Sequence, residues 1–339
     1  MFRARVACPA AAVALAFALA GCGGGTQSPA SPAQSSTQAP GGAVVSITAA
    51  DVRGADLSPT SPVPGGRATD RKGRAVTVAD PSRIVSVASG VAETIAALGL
   101  ARAVTGRDIA SDSPAIHSAP VVTDAHAVSV EKVLAARPTL VVVDDQTTPT
   151  AAVAAIERAG VQVIKVPQAW SLPAVAPRVR ALAAALGVPA RATELLARMQ
   201  PEAASVNADG LSRPRVAFLY LRGTAAVYLL GGRGSGADSI ISAAGGIDVG
   251  AQAGLRPFTP ITPEAMARIR PDVLLVMSKG LQSVGGLSGL RALPGVKQTP
   301  AAVHGRVIAV DDTTLLAFGV DSYRLVGRLS AALRQVTHG

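Results

Sequence analysis

The sequence predicts an α/β protein of two similar lobes with mainly parallel sheets, joined by one long helix and leaving a ligand cleft between the lobes. Three observations carry this. Residues 128–143 (VSVEKVLAARPTLVVV) and 261–276 (ITPEAMARIRPDVLLV) align without a gap, 133 residues apart. Apolar strand-like runs alternate with helical patterns in both halves, as in a parallel sheet covered on both faces. Between the two copies, a stretch from about 172 to 204 has its apolar residues at helical spacing, where a crossover between lobes has to run. Matched lobes leave a cleft, and clefts bind small molecules.

At the start of the chain, Arg3 and Arg5 precede an apolar run over 6–20. This reads as a secretory signal over 1–21, too short to remain as a membrane-spanning helix. The sequence Leu19-Ala20-Gly21-Cys22 resembles the lipobox of bacterial lipoproteins, which implies acylation of Cys22 and attachment to the cell membrane. The alternative is an ordinary signal peptide with an incidental cysteine. The other cysteine, Cys8, lies within the removed peptide, so the processed chain has no pair from which to build a disulfide. Residues 22–70, rich in Pro, Gly, Ser and Thr, are expected to form a flexible tether, with 44–47 the one stretch apolar enough to be ordered.

The formal charge is +10, or +8 without Arg3 and Arg5. Its cations are scattered, without Lys/Arg runs or interleaved aromatics, and aromatic residues make up only 3% of the chain. Nucleic acid is therefore excluded as the expected partner, leaving an anionic membrane surface or an acidic ligand.

The first lobe is expected over 71–168. Strands are predicted at 74–78 and 83–88, followed by a helix over 90–98 stopped at Gly99. The first copy of the repeat then supplies a Ser129 N-cap, a first-turn acid in Glu131, an Arg137-Pro138 stop and a buried strand at 140–143. A helix over 151–159 and a strand over 162–166 complete the lobe. The interlobe helix is expected over 169–207, with Val175, Val179, Leu182, Leu186, Leu195, Leu196 and Met199 on its apolar face and a bend at Gly187-Val188-Pro189. The second lobe, 208–339, restarts in the same way. Its strand from Arg215 parallels the one from Arg83, and its helix over 237–245 parallels 92–99. Thr262 and Glu264 repeat the cap and the acid, and a strand at 307–310 precedes a closing helix over 320–336.

Residues 83–86 (RIVS), 93–99 (ETIAALG) and the two capped units with Arg-Pro stops resemble the helical-backbone class of substrate-binding proteins. These proteins serve ABC importers of haem, siderophores and cobalamin. The resemblance covers the chain from about Arg71 onward. It implies extracytoplasmic binding without catalysis, and an ABC permease with its ATPase as partners.

Ligand identity rests on few side chains, because the chain has four histidines, three tyrosines and one tryptophan. His126 stands in a polar loop before the Ser129 cap and is expected to project from the first lobe toward the cleft. Tyr220 ends a buried strand at the matching place of the second lobe, and Arg222 shares its face because alternate strand residues point the same way. Ferric iron suits phenolate oxygen, and a guanidinium donating to that oxygen favours its ionised form. An imidazole from the opposite lobe would take the other axial position of a haem. Taken singly, a loop histidine is more often solvated and a strand-end tyrosine more often exposed; the matched placement together with Arg222 favours the haem reading. His117, His304, His338 and Tyr323 read as surface or packing residues, and Tyr228 reads equally as pocket lining or as an ordinary strand residue.

This arrangement resembles the HmuT-type haem-binding lipoproteins of Gram-positive bacteria. The resemblance implies haem b as cargo, His126 and Tyr220 as iron ligands, Arg222 as support for Tyr220, and Met277 as a pocket residue. It admits haem-donor surface proteins as upstream partners. It also implies that Glu131 and Glu264 dock onto the permease, one per lobe. The alternative for these acids is simple complementation of the helix dipole, worth roughly 0.3–1 kcal/mol.

Two further motifs invite catalytic readings and fail them. The glycine-rich stretch 231–236 lacks the Lys-Ser/Thr ending of a nucleotide loop, and is expected instead to turn free N–H groups, including those near Ser235 and Gly236, toward a propionate or other carboxylate. Ser129-Val-Glu-Lys132 matches Ser-x-x-Lys, but its companion motifs are missing and Ala265 replaces the lysine in the second copy. The remaining alternatives are a ferric-siderophore or cobalamin carrier, which few aromatics disfavour, and a surface-anchored hydrolase, for which no nucleophile constellation is present.

Overall fold

The computed structural model describes residues 44–54, 56–124, 127–204 and 213–338. Cys22 and His126 lie outside the described residues. Two sheets dominate, both within one compact unit, Gly41–Gly339. The first runs in the order Ala75–Thr77, Arg67–Thr69, Gln162–Lys165, Leu140–Val143, Ile84–Ser86, Val104–Gly106. Its last four strands are mutually parallel, and the first two form an antiparallel edge. In the second, Val45–Ile47, Val307–Val310, Val273–Met277 and Arg215–Arg222 are parallel neighbours, and Val227–Gly231 and Phe258–Pro260 extend the sheet antiparallel. Every residue of Leu140–Val143 and of Val273–Met277 is buried, as expected of strands covered by helices on both faces. Each such aliphatic side chain contributes about 1.5–3 kcal/mol by leaving water.

The duplication seen in the sequence extends to hydrogen bonds. Arg83 enters its strand and donates from Nε to Arg137 O (2.7 Å) and from Nη2 to Ala136 O (2.7 Å), satisfying carbonyls at the end of the helix Val130–Ala135. Arg215 does the same in the second lobe, donating from Nη2 to Ile269 O (2.7 Å) at the end of Pro263–Ile269. The arginines of both Arg-Pro stops adopt positive φ, 47° at Arg137 and 41° at Arg270. Each helix opens on its expected cap, with Ser129 Oγ accepting from Lys132 N and Thr262 Oγ1 from Ala265 N. The Arg-Pro stop therefore works in three steps: the arginine turns left-handed, the proline blocks continuation, and a second arginine from the neighbouring strand covers the orphaned carbonyls.

Within the expected tether, residues 45–47, in the stretch apolar enough to be ordered, form an edge strand paired in parallel with Val307–Val310, whereas Arg67–Thr69 joins the first sheet against expectation. The chain thus enters through the second sheet before building the first lobe. Val45 and Ile47 are β-branched and suit a strand, and pairing with a buried strand fixes them within a region otherwise rich in Pro and Ser. The interlobe helix is divided at the expected bend into Leu172–Ala185 and Pro189–Ala204, which pack on each other. Gly187 turns the chain with φ 71°, and an added Cβ there would stand 2.2 Å from Val63 O. The first helix packs on the first lobe and donates from Leu172 N to Ser239 Oγ of the second (3.0 Å), and the second helix bridges the lobes along its length. It packs on Ala96–Leu100 of the first and on the closing helix Ser322–His338 of the second, and Arg191 Nε donates to Leu98 O (2.6 Å).

Candidate functional site

A cleft of about 460 Å³ opens between the lobes, a volume suited to a small-molecule ligand. Its walls are built from residues at or just beyond the carboxyl ends of parallel strands, where open α/β sheets place their ligands. In the second lobe these are Tyr220 and Arg222, Met277 and Asp312, from three adjacent strands. In the first lobe they are Ala88 and Ser89, Asp108 and Asp144. At the lobe junction the backbones meet closely: an added Cβ on Gly90, whose φ is 71°, would lie 2.4 Å from Ala317 O.

Tyr220 and Arg222 both line the cleft, as their period-two spacing requires. The Tyr220 ring meets Phe258 edge-on at 5.6 Å between centroids, and Leu229, its cross-strand partner, lies beside it in the wall. Arg222 takes a different pose from the one expected. Its guanidinium carbon stands 4.6 Å from the Tyr220 ring centroid, over the ring face, and Nη1 donates to Leu221 O (2.9 Å). The cation therefore meets the aromatic face in a cation–π contact. Met277 is 3% exposed and ends its strand in the cleft wall.

Tyr228 is paired with Leu221, so it belongs to the opposite sheet face, and it packs in the second lobe's separate core. The same alternation that sends Tyr220 to the cleft sends Tyr228 away from it. The glycine-rich loop also departs from expectation, because its N–H groups are already taken. Gly232 donates to Pro257 O, Arg233 to Leu255 O and Ser235 to Gly232 O, while Asp238 accepts from both Gly234 (2.9 Å) and Gly236 (3.0 Å). Asp238 thus occupies the place a ligand carboxylate would have filled. Ser235 is fully buried, and neither it nor Gly236 lines the cleft.

His126 falls between two described strands, Thr123–Asp124 and Ala127–Val128, whose Asp124 and Ala127 pair directly; Thr123 lines the cleft. Glu131 and Glu264 occupy equivalent exposed positions in the first turns of the two repeat helices. Neither forms an ion pair with a described residue.

Several cleft residues have no sequence motif. Trp170 donates from Nε1 to Gly234 O (2.6 Å) and lies 6.2 Å from Phe318, centroid to centroid, tying the segment before Leu172–Ala185 to the second lobe. Arg178, 2% exposed, donates to Pro167 O (3.1 Å) and Ser89 O (2.8 Å) and stands 3.5 Å from Asp144 Oδ2. Burial lowers the Arg178 pKa, against the opposing pull of Asp144. Burial also pushes the Asp108 carboxyl up to about 6, although Ser111 Oγ donates to it at 2.5 Å. The signal that would have found Asp144 and Asp312 is positional, since they lie one and two residues past buried parallel strands.

The chain matches the model of the family described as periplasmic binding protein over residues 84–314. Among solved structures it is similar to the periplasmic heme-binding protein RhuT from Roseiflexus sp. RS-1 in apo form. The two are 37% identical, with 76% of this chain and 99% of that one covered and a TM-score of 0.71. The heme-binding protein HmuT is 32% identical, with coverages of 86% and 97% and a TM-score of 0.77. HmuT structures with alanine in place of a histidine, of a tyrosine, and of an arginine two positions after that tyrosine are similar too. The periplasmic heme-binding protein BhuT, in complex with two hemes, is 31% identical, with coverages of 75% and 98% and a TM-score of 0.68. No curated protein sequence matches the chain.

Proposed function

The chain belongs to the periplasmic binding protein family, and on that footing we propose that it captures haem outside the cytoplasm and delivers it to an ABC permease for iron uptake. The observation that carries this reading is the pairing of Tyr220 with Arg222 in a largely apolar cleft. A phenolate oxygen is a good ligand for ferric iron, and Arg222 places a cation over the ring that carries it. Leu229, Phe258, Leu316 and Met277 supply apolar surface for a flat macrocycle. The similar structures named for heme support the same cargo.

In this reading Tyr220 is one axial ligand and His126, from the opposite lobe, is the other. Met277 packs against the porphyrin. Glu131 and Glu264 dock onto the permease, one per lobe, and their equivalent, exposed placement supports that role. Cys22 carries the lipid that keeps the protein at the membrane, within reach of haem-donor surface proteins. The work is coordination, burial and release, without covalent chemistry.

Titration with hemin tests the reading, following the Soret band and the fluorescence of Trp170, the single tryptophan of the chain. A Soret shift with hemin, and no response to ferrichrome or cobalamin, is the expected result. Absence of a Soret shift overturns it, as does an unaltered spectrum when Tyr220→Ala and His126→Ala are combined.

A further inference from the structure

Asp312 follows the strand Val307–Val310 and reaches two other elements of the cleft wall. Its Oδ2 accepts the backbone N–H of Lys279 at 2.7 Å, in the first turn of Ser278–Ser283 and two residues past Met277. Its Oδ1 faces Arg222 Nη1 at 3.6 Å. The carboxylate is thus oriented by a backbone donor on one side and presents its remaining oxygen to the guanidinium on the other. Its side chain is 11% exposed, against 35% for Arg222. The ion pair is accordingly less screened than one at an open surface.

Arg222 has little else to fix it. Nη1 bonds Leu221 O, in its own strand, and the guanidinium lies over Tyr220. An arginine side chain loses rotamer freedom when held in one pose, so a partner is needed to keep it there. The contact to Asp312 links Arg222 to the segment after Val307–Val310, a strand two places away in the sheet.

We propose that Asp312 is a positioning residue for the haem ligand Tyr220, acting through Arg222: it holds the guanidinium over the phenol ring and thereby sets the strength of the iron–phenolate bond. The inference rests on the haem reading of this cleft. Asp312→Asn is the informative variant, because the amide oxygen can still accept from Lys279 N while the ion pair to Arg222 is removed.

The test is a double-variant cycle of D312N and R222A, with hemin affinity and the phenolate-to-iron charge-transfer band as readouts. D312N is expected to weaken hemin binding about three- to tenfold and to diminish the band. In the R222A background the same substitution is expected to change neither, and D312E is expected to restore part of both. A silent D312N overturns the proposal, and so does an effect of equal size with and without Arg222. Those two outcomes require hemin to bind the wild-type protein. If the wild type gives no Soret shift, the haem reading fails and this inference falls with it.

Discussion

Arg222 stands over the face of Tyr220, its guanidinium carbon 4.6 Å from the ring centroid, on two residues that share one face of the strand Arg215–Arg222. A cation in that position is attracted to the electron-rich face of the ring and holds it in one orientation toward the cleft. Arg222→Ala is expected to weaken hemin binding about tenfold, equivalent to about 1.4 kcal/mol. Arg222→Lys is expected to recover part of the loss, since the charge remains but the planar stacking surface does not. Spectroscopic hemin titration of the two variants checks both values.

Tyr220 and Tyr228 offer a control within one hairpin. They carry the same phenol on adjacent strands, but Tyr228 is paired with Leu221 and faces the second lobe's own core. Tyr220→Phe is expected to abolish the phenolate charge-transfer band of the hemin complex. Tyr228→Phe is expected to leave that band and the affinity unchanged.

Arg83 and Arg215 are equivalent stability elements far from the cleft residues. Each covers carbonyls left open at the end of a repeat helix. Removing either takes away hydrogen bonds worth about 0.5–1.5 kcal/mol each, since water can reach these part-exposed helix ends. Arg83→Ala and Arg215→Ala are each expected to lower Tm by about 2–4 °C per kcal/mol lost, with additive effects in the double variant, as differential scanning calorimetry would report.

Glu93 makes stability pH-dependent. Burial, reinforced by Asp321 and Asp108, raises its carboxyl from 4.5 to about 8, against the hydrogen bond from Asp112 N (3.1 Å) and the attraction of Arg53. The folded state therefore holds this proton more tightly than the unfolded chain does. Its contribution is fully present below pH 4.5 and is lost as pH rises toward 8. Glu93→Gln is expected to raise Tm at pH 8, and to flatten the decline between pH 5 and 8 that the wild type shows. Thermal melts across that range give the comparison, and a wild-type Tm that rises with the Gln variant's in parallel would contradict it.

Much of the architecture was legible in the residues because it is local. The capped helix, the Arg-Pro stop and the buried strand of each repeat are decided within sixteen consecutive positions, and the structure reproduces them with matching bonds in both lobes. Tyr220 and Arg222 could be placed on one face because strand alternation is a property of the backbone. Residues 44–47 were legible as apolar enough to be ordered, but their place in a sheet was not, since the strand's partner is more than 250 residues away in the sequence. The glycine-rich loop was misread for a similar reason: its N–H groups were counted as free, but Asp238, a few residues on, folds back to take two of them.

The sequence by itself determined two lobes, their order, the caps and stops that build them, and a phenol and a guanidinium on one face. Tertiary structure decided how those groups meet. Asp312, Asp144, Arg178 and Trp170 converge on the cleft from separate strand ends and from the segment between the lobes, so no spacing in the chain marks them as neighbours. It also decided that Arg222 covers the Tyr220 ring instead of bonding its hydroxyl. The physical reason is that a long side chain takes its pose from the charges and acceptors packed around it. Here those are the carbonyl of Leu221 and the carboxylate of Asp312, the latter brought beside Arg222 only when three parallel strands align.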